Sequence, residues 1–278
     1  MRKPLFVLTQ YLFPHHLFSR FLASLMLCRF KPLKNGLIRW FIKRFGVNMN
    51  EALREKPEDY TDFNDFFTRA LKPGLRPFEK NANALISPAD GFISESGDVW
   101  QGQLFQAKGV NYSLKSLLAN DNELEKQLSQ GSYFTIYLSP RDYHCVHMPI
   151  DGRLKKTMYV PGRLFSVNLM TANHVPGLFA RNERLVCEFD TEQGNMTLIF
   201  VGAMIVSGIV TQWSGKVTPR SPKQIEAKVY DDGPRFSCGD KIGHFNVGST
   251  VIVLTEKRFE MLHHQGNIKL GQSIAQFS

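Results

Sequence analysis

The sequence predicts a mixed α+β fold, with N-terminal amphipathic helices followed by a mainly antiparallel β domain. Two helical apolar patterns occur within residues 1–50, and β-branched and aromatic runs dominate from about residue 84. These runs are not separated by long helices, as the strands of a doubly wound parallel sheet would be. The 278 residues suit one large domain with an appendage.

Residues 1–50 form the first predicted unit. They hold nine basic residues and no acidic one, whereas residues 51–278 carry 25 basic and 25 acidic residues. The formal net charge of +9 therefore belongs to this segment. Apolar residues recur there at helical spacing in two groups, Leu17, Phe18, Phe21, Leu22 and Leu25, then, beyond a break at residues 32–36, Leu37, Ile38, Phe41 and Phe45. Basic amphipathic helices of this kind lie in anionic bilayer surfaces.

Other interpretations of the N-terminal segment compete with a membrane-surface anchor. A transmembrane helix needs about 20 apolar residues, but the longest uninterrupted apolar run, residues 21–28, has eight. Pro14 near the centre disfavours a secretory signal. Large apolar faces disfavour nucleic-acid binding. An organelle transit peptide and a pair of core-packing helices remain alternatives to the interfacial anchor that the pattern favours.

Residues 51–278 form the second predicted unit, a catalytic domain. The pattern predicts that residues 51–72 are helical, with Phe63, Phe66 and Phe67 facing inward, and that Pro73, Gly74 and Pro77 end the helix. Strands are predicted at residues 133–138, 185–189, 197–201 and 205–210. The four cysteines are scattered without a Cys-x-x-Cys pair, which is typical of reduced thiols.

Two histidines fall in one short segment. Residues 139–142, Ser-Pro-Arg-Asp, have the layout of a helix start, and Pro149 would limit that helix to about two turns. On such a helix His144 and His147 would point to the same side. A structural histidine pair and a metal site are the alternatives. No His-Glu-x-x-His motif occurs, so no metal is predicted.

A reactive hydroxyl is predicted at Ser249, which follows Gly248 and precedes the apolar run of residues 251–254. No Gly-x-Ser-x-Gly pentapeptide of the common hydrolase type occurs. The Ser249 hydroxyl can instead attack the Gly248 carbonyl through a five-membered ring, and glycine tolerates the distortion that this attack requires. His147 would accept the proton, and Asp90, within residues 87–91, would orient the imidazole.

These segments resemble those of the phosphatidylserine decarboxylase family, in its bacterial membrane-associated, pyruvoyl-dependent type. The likeness covers most of the chain, in order, through residues 61–69, 87–91, 106–114, 137–149, 159–168, 179–184 and 247–250. One departure is visible, because Val247 stands where the family usually has leucine. This change keeps an apolar residue and leaves the Gly248–Ser249 bond as in the family.

The resemblance implies self-cleavage at Gly248–Ser249 into a long chain, residues 1–248, and a short chain, residues 249–278, which stay together as a heterodimer. Ser249 would become a covalent pyruvoyl group that decarboxylates phosphatidylserine to phosphatidylethanolamine through a Schiff base. Asp90, His147 and Ser249 would form the processing triad. His144 would contact the substrate carboxylate or phosphate, or reprotonate the product.

The same resemblance implies a peripheral enzyme on the cytoplasmic face of the bacterial inner membrane, acting on phosphatidylserine in anionic lipid. It implies no nucleic-acid partner and leaves a higher homo-oligomer open. Two other classes remain: a pyruvoyl enzyme for a soluble amino acid, and a non-catalytic peripheral membrane protein in which Ser249 never reacts.

Overall fold

The structure is a computed structural model that describes residues 25–78, 81–107, 110–203, 208–218, 224–246 and 249–277. Phe21 with most of the first helical pattern, and both Val247 and Gly248, lie outside these residues. The helices are α1 (Lys31–Phe45), α2 (Phe63–Phe67), α3 (Leu114–Leu117), α4 (Asn122–Leu128), α5 (Leu169–Ala172) and α6 (Leu178–Arg181).

Strands make up most of the regular structure. They are β1 (Ala84–Ile86), β2 (Gly91–Asp98), β3 (Gln103–Ala107), β4 (Val110–Ser113), β5 (Ser132–Leu138), β6 (Cys145–His147), β7 (Gly152–Val160), β8 (Arg184–Thr191), β9 (Gly194–Gly202), β10 (Ile209–Thr211), β11 (Gly215–Lys216), β12 (Glu226–Val229), β13 (Arg235–Phe236), β14 (Lys241–Phe245), β15 (Ser249–Thr255), β16 (Phe259–Met261), β17 (Gly266–Ile268) and β18 (Ser273–Phe277). The predicted strands at residues 133–138, 185–189 and 197–201 are confirmed as β5, β8 and β9.

One large sheet organises the molecule, in the order β12-β7-β8-β9-β15-β5-β2-β17, with β13 also paired to β7. A four-stranded sheet, β11-β10-β14-β6, and a three-stranded sheet, β1-β18-β16, accompany it. Each ladder between these strands is antiparallel. The predicted α+β class with a mainly antiparallel β domain is therefore confirmed.

Both faces of the large sheet are buried at its centre, as β15 shows most clearly, whereas the edge strand β12 is exposed. Its seven residues are all buried, and successive side chains enter opposite layers. Val251 and Val253 pack in a core shared with β6 and β14, whereas Ile252 and Leu254 pack in a core shared with α3 and α4. Both neighbours, β5 and β9, pair with all seven residues of β15.

Helix α1 packs against the body of the protein. Pro32 lies in its first turn, and Gly46 ends it with a left-handed φ of 69°. The expected break at residues 32–36 is therefore wrong, because proline is tolerated in the first turn of a helix and Gly36 is accommodated within it. Ile38 and Phe41 are buried. The Phe41 ring centroid lies 5.1 Å from that of Phe63.

The predicted long helix at residues 51–72 is also wrong in its extent. Only α2 and two 3-10 turns, Met49–Glu51 and Pro57–Asp59, are helical there. Asp62 accepts a hydrogen bond from the Asp65 N–H at 3.0 Å and thereby starts α2. The inward direction of the three phenylalanines is confirmed, since Phe63, Phe66 and Phe67 are all buried.

Candidate active site

Ser249 begins β15, opposite Leu138 of β5 and Gly202 of β9. Its side chain is fully buried, and its Oγ has no hydrogen-bond partner among the described residues. By strand alternation it lies on the same face as Val251, towards the layer that contains β6 and β14. A buried hydroxyl without a partner is costly, and Thr250 and four other hydroxyl side chains in the described residues share this property with Ser249.

Asp90 precedes β2 and is almost fully buried. Its Oδ1 accepts from Arg76 Nε and from the Leu270 N–H, both at 2.9 Å. Its Oδ2 accepts from Arg76 Nη2 at 2.6 Å and from Lys269 Nζ at 3.2 Å. Burial by itself would raise the pKa of Asp90, but the hydrogen bonds from Arg76 and Leu270 outweigh burial and lower the pKa. Asp90 is therefore an ionised carboxylate.

His147 ends β6, and its side chain is held from both ring nitrogens. Nδ1 lies 2.7 Å from the Gly239 carbonyl oxygen, which can only accept, so Nδ1 carries the hydrogen. Nε2 then presents its lone pair to the Tyr143 hydroxyl at 3.2 Å. Burial lowers the pKa of His147, although the Gly239 hydrogen bond and the charge of Asp90 oppose that shift. The neutral ring can therefore act as a base through Nε2.

His144 is fully buried just before β6. Its Nδ1 donates to the Asp142 carbonyl oxygen at 2.9 Å, and its Nε2 has no hydrogen-bond partner within the described part of the chain. The ring packs on Phe67, with centroids 4.1 Å apart. Burial lowers the pKa of His144 to about 3, so at neutral pH this side chain is uncharged.

The histidine segment is extended, which corrects the predicted helix. Asp142 Oδ2 accepts from the Ser139 N–H at 2.8 Å and from its hydroxyl at 2.7 Å. The polar residues that suggested a helix start therefore close a turn instead. The chain after this turn forms β6, which pairs with β14. His144 and His147 consequently do not share a helical face; their ring nitrogens contact different partners.

The four predicted site residues come from segments that the backbone holds together. The His147 N–H donates to the Pro88 carbonyl at 2.8 Å, two residues before Asp90. The Phe245 N–H donates to the His144 carbonyl at 3.1 Å, four residues before Ser249. The side chains themselves do not form the expected chain of hydrogen bonds: Asp90 binds Arg76 and Lys269, and the carbonyl of Gly239 orients His147.

A cavity of about 300 Å³ opens beside this site. Asp90, Tyr143, Arg69 and Lys269 are among the residues that line it. The sequence alone indicates no role for Arg69, Arg76, Tyr143, Gly239 or Lys269. Arg69 and Tyr143 lie in segments that carried the family resemblance, whereas nothing local marks Arg76 or Lys269. No group of three or more His, Cys, Asp or Glu side chains that could hold a metal occurs in the described ranges.

Comparison with known proteins gives a consistent result. The family model for phosphatidylserine decarboxylase matches residues 63–276, and a model described as PSD matches residues 5–46. A phosphatidylserine decarboxylase proenzyme of Pseudomonas putida is 47% identical over 99% of this chain and 98% of its own length. One of Azotobacter vinelandii is 48% identical, with all of both chains covered.

A buried serine with an unpartnered hydroxyl, a neutral histidine and an ionised aspartate therefore stand on segments that the backbone holds together. The chain belongs to the phosphatidylserine decarboxylase family. It is accordingly a decarboxylase of phospholipid biosynthesis, of a family whose members are made as proenzymes.

Proposed function

We propose that the protein cuts its own chain between Gly248 and Ser249 and uses the new N-terminal residue to decarboxylate phosphatidylserine. The observation that supports this proposal best is the buried Ser249 hydroxyl, which has no partner among the described residues. Attack of Oγ on the Gly248 carbonyl forms an ester and breaks the peptide C–N bond. Loss of the Ser249 α-hydrogen then releases the Gly248 carboxylate, and addition of water with release of ammonia leaves a pyruvoyl group.

His147 is the proposed base for the Ser249 proton. Its Nδ1–H is fixed by Gly239, so Nε2 is the nitrogen that can accept. That nitrogen faces the Tyr143 hydroxyl, so it must exchange Tyr143 for Ser249 before cleavage. Unassisted serine is a weak nucleophile, which makes this proton transfer the step that most needs help.

Asp90 is proposed to act on His147 through its charge. Its carboxylate hydrogen-bonds Arg76, Lys269 and Leu270, which leaves no oxygen directed to the imidazole. The negative charge nevertheless raises the proton affinity of His147. Once His147 has taken the serine proton, the resulting imidazolium is stabilised by this neighbouring carboxylate.

The residues around Ser249 fit a pyruvoyl group. Ser249 is already covalently part of β15, and the buried space around its hydroxyl offers no competing donor within the described residues. Such a group supplies a ketone that accepts electrons when a substrate amine is bound and CO₂ leaves. Leu138 and Gly202, which flank Ser249, would exclude water from it.

His144 is proposed to carry a proton on Nε2 and to transfer it to the substrate carbon that has lost CO₂. In the absence of ligand its ring is neutral, so it cannot attract an anionic head group by charge. A bound anion close to His144 would raise its pKa and allow Nε2 to carry a proton. This makes a proton-transfer role better supported than a direct carboxylate or phosphate contact.

The cleavage proposal is tested by intact mass spectrometry of purified protein. We expect the unaltered sequence to give two chains that divide at residue 249, and Ser249→Ala to give one uncut, inactive chain. His147→Ala should also block cleavage. Thr250→Val is the matched control, since its hydroxyl is equally buried and faces the opposite layer. Complete cleavage of Ser249→Ala would sink the proposal.

The two products are proposed to stay together as a heterodimer. Strand β15 belongs to the short chain, while β5 and β9, its neighbours, belong to the long chain. The two chains should therefore co-elute in native size exclusion and separate only in denaturant.

We also propose that the protein acts as a peripheral protein on the cytoplasmic face of the bacterial inner membrane. Among the described residues, no helix is long and apolar enough to cross a bilayer. The apolar residues of α1, together with Phe30 just before it, divide between two faces: Ile38 and Phe41 pack inward, while Phe30, Leu33 and Trp40 are exposed. Phe41, which belongs to the apolar pattern assigned to the anchor, is therefore buried, and the exposed group is the better candidate for insertion.

Vesicle co-sedimentation tests this surface. We expect Trp40→Ser to weaken binding to anionic vesicles at every salt concentration, because apolar insertion is not screened. Trp100→Ser is the control, since Trp100 is exposed but lies outside the N-terminal segment. Equal binding of the two variants would remove α1 from the contact.

A further inference from the structure

Arg69 has an unusual environment. It is 3% exposed, yet only one of its nitrogens, Nη2, has a hydrogen-bond partner in the described residues. Nη2 donates to the Arg141 carbonyl at 3.0 Å and lies 3.5 Å from the Asp142 carbonyl. Nε and Nη1, the other two nitrogens, are buried without partners. Burial lowers the pKa of Arg69, and a buried guanidinium with free N–H groups is costly to maintain.

The carboxylates around the cavity are already engaged by other groups. Glu51 and Asp90 both bind Arg76, and Asp90 also binds Lys269. Asp142 accepts from Ser139. None of the ion pairs between described residues includes Arg69. The cavity is therefore lined by a buried cation whose counter-ion is not supplied by these neighbours.

We propose that this cavity is a subsite for a phosphodiester anion and that Arg69 holds it by its charge and by N–H groups that a rotation of the guanidinium brings to the phosphate oxygens. The inference rests on the proposed function, since it assigns the phosphate of the phosphatidylserine head group to this place. Nε–H and Nη1–H lie on different edges of the guanidinium, but each edge pairs one of them with an Nη2 N–H, and such a pair matches two oxygens of a phosphate.

The position of the cavity favours the phosphate over the carboxylate of the head group. Gly46 and Asn48, which follow α1, are among the residues that line it, so the cavity adjoins the C-terminal end of the helix proposed to contact the membrane. In the substrate, the phosphate lies between the acyl chains and the serine moiety. A phosphate at Arg69 therefore leaves the amine and carboxylate to extend further inward.

The subsite also connects to His144. Arg69 Nη2 and His144 Nδ1 both approach the Asp142 carbonyl oxygen, at 3.5 and 2.9 Å. The charge of Arg69 contributes to the low pKa of His144. An anion on Arg69 would offset that charge, so substrate binding would help His144 to take up its proton.

The direct test is calorimetric titration of soluble glycerophosphoserine into full-length Ser249→Ala protein, which separates binding from cleavage and turnover. We expect Arg69→Gln in that background to weaken binding about 10- to 100-fold, because hydrogen bonds to charged groups are lost. Binding of free serine should not change. Arg153→Gln is the matched control, since Arg153 is a partly exposed arginine that does not line this cavity.

Inorganic phosphate and free serine distinguish the sources of the anion. If inorganic phosphate displaces glycerophosphoserine from the parent protein but not from the Arg69→Gln protein, the result supports the subsite. Equal affinity of the Arg69→Gln and parent proteins for glycerophosphoserine would overturn it. An equal loss of free-serine binding in the Arg69→Gln protein would also overturn the subsite, because it would mean that Arg69 binds the carboxylate of the head group. Tight binding of phosphate without binding of glycerophosphoserine would overturn the head-group assignment.

A second variant tests the same proposal if the Arg69→Gln protein does not fold. Arg69→Lys keeps the charge without the forked donors, and should cleave at residue 249 as shown by intact mass. On mixed micelles its KM for phosphatidylserine should rise at least fivefold with kcat nearly unchanged. An unchanged KM would contradict the proposal. Failure of cleavage in the parent chain would count against the proposed function, while the titrations on Ser249→Ala protein would still decide the subsite.

Discussion

Two buried polar regions of this molecule differ in how completely their polar groups are hydrogen-bonded. Arg184, at the start of β8, donates to the carbonyls of Leu117 at 2.7 Å, Ser116 at 2.7 Å, Ala180 at 2.6 Å and Asn182 at 3.0 Å. Arg69, equally buried, leaves Nε and Nη1 without partners in the described residues. One arginine is saturated by main-chain acceptors, and the other is not.

The groups near each arginine follow the same division. Close to Arg184, Gln106 Nε2 donates to two carbonyls, at 2.7 and 2.8 Å, and its Oε1 accepts from the Leu178 N–H at 2.7 Å. Near Arg69, His144 Nε2 is unpartnered. Every buried side-chain nitrogen that lacks a partner, among the residues described, belongs to Arg69 or His144. Saturated groups hold this fold together, and unsaturated nitrogens mark the candidate site.

The largest expected effect lies in the saturated region. Arg184→Met would leave four main-chain oxygens without their donor, so we expect the free energy of unfolding to fall by at least ~3 kcal/mol. Arg69→Met should change it by less than ~1 kcal/mol, because one good hydrogen bond is lost while two unsatisfied N–H groups are removed. Urea denaturation measures both. Equal losses would erase the contrast between the two arginines.

In the candidate site, Asp90 is a side chain whose two oxygens both have hydrogen-bond partners. Asp90→Asn should therefore lower the free energy of unfolding, as Arg184→Met does. We expect a loss of ~2 kcal/mol at pH 7, since Arg76 and Lys269 lose their carboxylate. The pKa of Asp90 is lower in the folded state, so its contribution is present above the ordinary pKa and disappears as the pH falls through the folded value. Denaturation at pH 7 and pH 3 should therefore differ less in Asp90→Asn than in the parent.

A third effect, which is measured as a slope of stability against pH, comes from the buried neutral histidines. Burial lowers the pKa of His144 to about 3 and of His244 to about 4, so the unfolded chain binds more protons below pH 6.5. Stability should be complete above pH 6.5 and fall as the pH decreases towards 4, by up to ~1.4 kcal/mol per pH unit for each proton. His244→Gln should flatten this slope, whereas the exposed control His263→Gln should leave it unchanged.

The smallest expected effect concerns Tyr143, whose hydroxyl occupies the lone pair of His147 Nε2. Tyr143→Phe would free that nitrogen for Ser249, so cleavage should proceed as fast as in the parent or up to ~10-fold faster. Timed mass spectrometry of freshly refolded precursor measures the rate. A clear slowing would show that the hydroxyl assists the base.

Sequence reasoning predicted the strands better than the helices. The β5, β8 and β9 patterns are rich in β-branched and aromatic residues and proved correct, because strand alternation is a local signal. Residues 139–149 were misread, since Ser139 and Asp142 suit a turn as well as a helix start, and pairing with β14 decided the outcome.

The candidate site residues could be named from the sequence, but their partners could not. Asp90, His144, His147 and Ser249 stand in recognisable segments. Arg76 and Lys269 reach Asp90 across 14 and 179 residues of chain, and no local pattern records such a contact. The Gly239 carbonyl that orients His147 is a main-chain group, which carries no residue signature.

The central place of β15 sets the order of events in time. Its ladders with β5 and β9 form only after the chain beyond residue 248 has emerged, and that later segment also supplies β17 for β2 and β18 for β1. Ser249 therefore meets its buried surroundings late, when the sheet closes. The cleavage proposed at Ser249 would therefore wait for folding, since an incomplete or misfolded chain lacks the assembled site and would stay uncut.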